Sequence, residues 1–147
     1  MMNLRLFLQD LREIPTFMLM LSSLARASNK GRETCAVLLE KQTSRFPDQD
    51  FLRFEKETVT YEEYNRGANR YAHVLKEAGI RRGEPVAIMM RNSPDFLMAQ
   101  AAMAKVGSIG ALINTHLSGP PLAHVLQVSG ARHLLVDQEC LPAAVPV

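Results

Sequence analysis

The stretch EPVAIMMRNSPDFLMAQAAMAKVGSIGALIN, residues 84–114, decides the fold. Its opening, EPVAIMM (84–90), is a continuous apolar run without polar alternation. A half-exposed strand alternates and a strand covered on both faces does not, so this run reads as a buried strand of the parallel type. RNSPDFLMAQAAMAKVG (91–107) then carries helix signals at both ends. Ser93 suits the N-cap, Pro94 the first helical position, and Gly107 the left-handed stop. SIGALIN (108–114) is a second apolar run and reads as the next buried strand. Neighbouring parallel strands can be joined only by a crossover, and the intervening helix supplies it.

Working outward, SGPPLAHVLQVSG (118–130) predicts a short helix with proline at its start and Gly130 at its end. RHLLVD (132–137) predicts a third strand. Strand, helix, strand, helix, strand is the order of an α/β fold with a parallel, doubly wound sheet and flanking helices. Upstream, Thr60 and Glu63 have capping-box spacing. Tyr64, Ala68, Tyr71, Ala72, Leu75 and Ala78 follow on one helical stripe, with Gly79 as its stop. FLRFEKETVTY (51–61) reads as a short hairpin with Glu55 to Glu57 as the turn. ETCAVLLEKQTSRFPD (33–48) places Cys35, Val37, Leu38, Leu39 and Phe46 on a helix stopped by Pro47. After Asp137 the sequence QECLPAAVPV (138–147) carries two prolines that oppose further regular structure. Three strands are few for a sheet covered on both faces, so the sheet reads as unfinished: either an unusually small protein or the front portion of something larger. An exposed apolar edge and face would then favour self-association.

Composition narrows the function classes. The chain has 147 residues and a formal charge of +2 with dispersed cations; only Arg81 and Arg82 are adjacent, which argues against a nucleic-acid partner. Cys35 and Cys140 lie far apart without metal-ligand spacing and read as reduced thiols. The leader MMNLRLFLQDLREIPTFMLMLSSLAR (1–26) has no uninterrupted apolar run longer than Phe17 to Leu21, against the roughly 20 residues of a membrane span. Asp10 and Glu13 fall where a secretory signal would be apolar. Leu4, Phe7, Leu8, Leu11, Met18 and Leu21 recur at helical spacing, the pattern of a helix lying on a membrane surface or packed against protein. The organisation expected is an amphipathic leader over residues 1–32 and a partial domain over 33–147.

No self-sufficient active site can be read from the residues. KVGSIGALI (105–113) has Gly107 and Gly110 but not the dinucleotide spacing, and it precedes a strand rather than following one. Walker-type and nucleophile-elbow glycine motifs are absent. His116, His124 and His133 have no zinc-binding spacing. No catalytic and no metal-binding residue is therefore assigned. The informative positions are strand ends. ALINTHLSG (111–119) runs from an apolar stretch into Asn114, Thr115 and His116. Carboxyl ends of parallel strands border ligand clefts in open α/β sheets; polar turn residues also bond to their own backbone. Arg91 and Asn92, after the preceding strand, pose the same alternative.

Together these segments resemble the amino-terminal region of the adenylate-forming, or AMP-binding, superfamily of acyl- and aryl-CoA ligases. The resemblance runs from VTYEEY (59–64) to HLLVD (133–137), and its motifs include TYEEY, RRGEPV and KVGSIGALIN. RNSPDF (91–96), GALINTHLSG (110–119), LAHVL (122–126) and FPDQDFLRF (46–54), behind a Leu- and Arg-rich leader, are most similar to long- and very-long-chain fatty acyl-CoA synthetases of the fatty acid transport protein type. The resemblance implies a complete enzyme using a fatty acid, ATP, Mg2+ and CoA. Carboxylate plus ATP gives acyl-AMP and pyrophosphate, and the CoA thiol then displaces AMP. It also implies a cytoplasmic protein, peripheral at the inner membrane surface through residues 1–26. In that family Asn114, Thr115, Arg91 and Asn92 would lie near the substrate or CoA cleft.

The family's Ser/Thr/Gly-rich phosphate loop, Thr-Glu motif, ribose-binding Asp, hinge and carboxyl-terminal lysine are not among these 147 residues. This chain alone is accordingly expected to bind no ATP, Mg2+ or CoA and to be inactive. Two alternatives stand beside the fatty acid ligase. One is a ligase of the same superfamily for a carnitine-like, aromatic or short-chain carboxylate. The other is a non-catalytic binding or membrane-associated module.

Overall fold

The computed structural model describes residues 34–145. The leader expectations for residues 1–26, and the boundary at residue 32, lie outside them. Ten elements follow in chain order: α1 (Cys35–Arg45), β1 (Asp50–Phe54), β2 (Glu57–Thr60), α2 (Tyr61–Glu77), β3 (Pro85–Met89), α3 (Pro94–Val106), β4 (Ile109–Leu112), α4 (Gly119–Ser129), β5 (His133–Val136) and α5 (Leu141–Ala144). β1 and β2 form an antiparallel hairpin, and the other three strands form a parallel sheet in the order β4-β3-β5. The α/β class with a parallel sheet flanked by helices is as expected.

Among the described strands β3 alone has a partner on each side, which makes it the centre of the parallel sheet. Val86 to Met89 are at most 1% exposed, which is why no polar residue interrupts the run. Their side chains alternate between two apolar layers. Val86 and Ile88 pack with Ala72 and Leu75 of α2 and Ala99, Ala102 and Met103 of α3. Ala87 and Met89 pack on the other face with Ile113, Leu122 of α4, and Cys140.

The helix ends are chemically satisfied where the sequence signals them. The Thr60 hydroxyl accepts from the Glu63 amide at 3.2 Å, and the Glu63 carboxylate accepts from the Thr60 amide at 2.9 Å. Ser93 Oγ accepts the Phe96 amide at 3.1 Å, and Pro94 opens α3. Gly107 and Gly130 close α3 and α4 at φ 77° and 66°, a region that strains residues carrying a Cβ. On α2, Tyr64, Ala68, Ala72 and Leu75 are buried, whereas Tyr71 is half-buried and Ala78 is exposed at the end of the stripe.

Several expectations are corrected. SIGALIN does form a strand, but not a buried one. β4 is an edge with a single neighbour, and Ile109 and Leu112 are 57% and 59% exposed. An apolar run reports composition and cannot report whether a second neighbour is present. The hairpin turn is tighter than expected: Glu57 belongs to β2, and Glu55 takes the left-handed conformation at φ 51°. QECLPAAVPV contains the short helix α5, because Pro142 falls in its first turn, where no intrahelical N–H bond is required. Helix α1 forms as expected yet has no buried residue. It is tied to its neighbours through Glu40, whose carboxylate meets the Lys105 ammonium of α3 and accepts from Asn65 Nδ2 of α2 at 3.2 Å. Hydrogen bonding to Lys105 outweighs the opposing effect of burial and holds Glu40 below the ordinary carboxylate range.

Candidate functional site

Because the three sheet strands are parallel, their carboxyl ends share one edge. That edge carries Arg91 and Asn92 after β3, Asn114 and Thr115 after β4, and Asp137 after β5. The fold therefore brings all four expected positions to the side where open α/β sheets hold ligands. Their bonding differs. Asn114 Oδ1 accepts the His116 amide at 2.9 Å, and its carbonyl accepts the Leu117 amide at 3.2 Å, so this side chain is used within its own turn. Arg91 is tied across the edge instead. Its guanidinium pairs with Glu139 at 2.5 Å, and its amide donates to Asp137 Oδ2 at 2.6 Å. Among the described residues no hydrogen bond or ion pair joins Asn114 or Thr115 to Arg91 or Asn92.

Asp137 is the organising residue that the sequence reading left unassigned. Its second carboxylate oxygen, Oδ1, accepts the Cys140 amide at 2.7 Å. One side chain thus fixes both the β3–α3 and β5–α5 connections. A signal was available: Asp137 ends the apolar run of β5 as Asn114 ends that of β4. Burial works to raise the Asp137 pKa, but the amide hydrogen bonds from Arg91 and Cys140 outweigh it and the group is held below its ordinary value. The Cys140 thiol is pushed up, first by burial and then by the Asp137 carboxylate beside it.

A titration test follows. The unfolded carboxyl titrates near about pH 4, and the folded one below that. The stabilisation is therefore complete above about pH 4 and is lost as pH falls through the lowered folded value. Asp137→Asn is expected to lower the thermal midpoint at neutral pH and to converge on the parent chain in strong acid. Parallel melting-temperature curves over the whole acid range would refute this role.

A second feature lies between α1, the hairpin, α2 and α3. It is an apolar cavity of about 490 Å³ lined by Leu38, Leu39, Phe51, Tyr61, Tyr64 and Ala101, among others. Phe51 packs on Tyr61 and Tyr64 with ring centroids 4.9 and 4.2 Å apart, and the Tyr64 hydroxyl donates to the Leu97 carbonyl at 2.8 Å. The sequence reading missed this cavity, because several segments distant in the chain make its walls.

A triphosphate needs convergent donors or a cation to offset developing charge, and here the Arg91 guanidinium is already paired with a carboxylate. No cluster of three or more His, Cys, Asp or Glu side chains able to hold a metal occurs among the described residues. Nor, among them, is any helix long and apolar enough to cross a membrane.

Similarity to known proteins identifies what this scaffold belongs to. The medium/long-chain-fatty-acid–CoA ligase FadD6 of Mycobacterium tuberculosis is 36% identical over 120 residues, covering 82% of this chain and 20% of that protein. The long-chain fatty acid transport protein 2 of Rattus norvegicus is 32% identical over 138 residues, 90% of this chain and 22% of its own length. This chain thus spans about a fifth of the length of these relatives. The crystal structure of the N-terminal domain of FACL13 from Mycobacterium tuberculosis superposes with a TM-score of 0.72 at 28% identity, over 78% of this chain and 30% of that one. The sequence profile of the AMP-binding enzymes matches residues 39–146, which takes in every strand and helix described above except part of α1. By that match, the chain belongs to the AMP-binding enzyme family.

Proposed function

We propose that this chain is the amino-terminal part of a long-chain fatty acid–CoA ligase. The observation that carries the reading is the similarity to fatty acid–CoA ligases and fatty acid transport proteins over most of the chain, at more than 30% identity. In the complete enzyme a fatty carboxylate oxygen attacks the α-phosphorus of ATP, and pyrophosphate leaves. The CoA sulfur then attacks the acyl carbonyl of the adenylate, and AMP leaves. Mg2+ would offset charge on the leaving pyrophosphate.

These residues contribute the frame rather than the phosphate donors. The parallel sheet holds Arg91, Asn92, Asn114 and Thr115 at one edge, where they would border the substrate or CoA cleft. The Asp137 carboxylate and the Arg91–Glu139 pair keep that border in one geometry. The apolar stripe in residues 1–26 supports a cytoplasmic enzyme placed peripherally at a membrane surface, where long-chain acids concentrate.

The test has two arms. Translation of the DNA downstream of Val147 should encode the Ser/Thr/Gly-rich phosphate loop, and the protein so extended should release pyrophosphate in a fatty-acid-dependent manner and form acyl-CoA. The 147-residue polypeptide by itself should release none above a buffer control. Adenylation by the short polypeptide, or an extended protein that activates only other carboxylates, would overturn the proposal.

A further inference from the structure

Helix α1 is seated on its neighbours by charge more than by packing. None of its residues is buried, and beneath it lies the apolar cavity of about 490 Å³. Ala36, Leu38 and Leu39 of α1 form one wall, and Tyr64, Ala101 and Ala104 form the other. Protein interiors leave few voids larger than a water molecule, so a helix standing off by such a space gains little from contact. Neither apolar cluster around β3 includes a residue of α1.

The groups that meet α1 are buried even though the helix is not. The Lys105 side chain of α3 is 10% exposed, and its ammonium has the Glu40 carboxylate as its one partner among the described residues. Asn65 of α2 is buried as well; its Nδ2 donates to Glu40, and its Oδ1 has no partner. A buried cation left alone costs far more than an exposed ion pair gains. Two buried groups of the body thus depend on one carboxylate of α1. The chain just after α1 is fixed differently. The Tyr61 amide donates to the Gln49 carbonyl and the Glu62 amide to the Pro47 carbonyl, both at 3.0 Å. Thr43 Oγ1, in the last turn of α1, donates to the Tyr61 carbonyl at 3.5 Å.

We propose that α1 is a hinged strap, which swings about residues 46–49, is latched by Glu40 on Lys105 and Asn65, and on opening admits an apolar molecule to the cavity. Water reaches the Lys105 ammonium as the carboxylate leaves, so neither charge is stranded in apolar surroundings. The core around β3 stays closed, because α1 is no part of it. None of Arg91, Asn92, Asn114 or Thr115 lines the cavity, so the strap acts apart from the strand edge.

Native-state amide hydrogen exchange of the full 147-residue chain reads the opening. An isolated helix of 11 residues is marginal in water, so α1 amides exchange once it detaches. They should exchange faster than those of β3 and with less dependence on denaturant, the signature of opening without global unfolding. Glu40→Gln keeps length and helix propensity and should speed α1 exchange about tenfold or more, because it strands Lys105 in the closed form. In a Lys105→Met background, with no cation to strand, the same change should alter the rate less than about twofold. Nile red, a neutral apolar dye, should gain fluorescence with the Glu40→Gln chain, and adding Ala101→Phe, which fills the cavity, should abolish the gain. Equal exchange and equal denaturant dependence for α1 and β3 would overturn the proposal, as would a Glu40→Gln effect of the same size in both backgrounds. So would a dye signal that is absent, or one that persists once the cavity is filled.

Discussion

Ile88→Asp is expected to abolish the cooperative unfolding transition of this chain. Ile88 is 1% exposed in the middle of the central strand, with β4 on one side and β5 on the other. Its side chain packs among the apolar side chains of Ala72, Leu75, Ala99, Ala102 and Met103. A carboxylate placed there must take up a proton or open the core to water. Either route costs several kcal/mol, set against a total stability of about 5–15 kcal/mol for a domain. Ile88→Val removes one methylene and should cost only about 0.5–1.5 kcal/mol, which separates burial of charge from loss of volume. Thermal melts followed by circular dichroism provide the measurement. A cooperative transition in the Asp variant, within a few degrees of the parent, would mean that β3 is not the covered centre of the sheet.

The second large effect is expected at Leu122. It is the single buried residue of α4 and is fully buried, against Ala87, Met89 and Ile113 among others. Val125 and Leu126 of the same helix pack against that cluster only partly buried, so Leu122 is its deepest anchor. Leu122→Ala should cost about 2–5 kcal/mol through lost transfer energy and the cavity left behind. Val128→Ala on the same helix, where the side chain is 72% exposed, should stay within about 0.5 kcal/mol. Urea denaturation distinguishes them by the shift in midpoint at constant slope. Equal shifts for the two variants would show that α4 is not anchored through Leu122.

What the sequence by itself determined is local. The Thr60–Glu63 capping box, the Ser93–Pro94 start and Gly107 end of α3, and the Gly130 stop of α4 lie where the residues announce them. Each is a bargain among groups within a few positions of one another, so chain proximity alone brings the partners together. The parallel layout was legible for a related reason. An apolar run of strand length between two capped helices has few ways to bury itself, and a crossover joins its neighbours the same way wherever they stand in the sheet.

Only the tertiary structure decided which strand became the edge. SIGALIN is nearly as apolar as EPVAIMM, yet β4 is exposed and β3 is covered, because strand order is a choice among whole-sheet arrangements. The same holds for the carboxyl edge. Asp137 and Arg91 are separated by 46 positions, and Glu40 and Lys105 by 65. A carboxylate's partner at that range depends on where the helices and strands between them have packed. Composition and periodicity record which faces are apolar; they do not record which neighbour covers each face, and that is what set the exposed edge and the cross-ties at the candidate site.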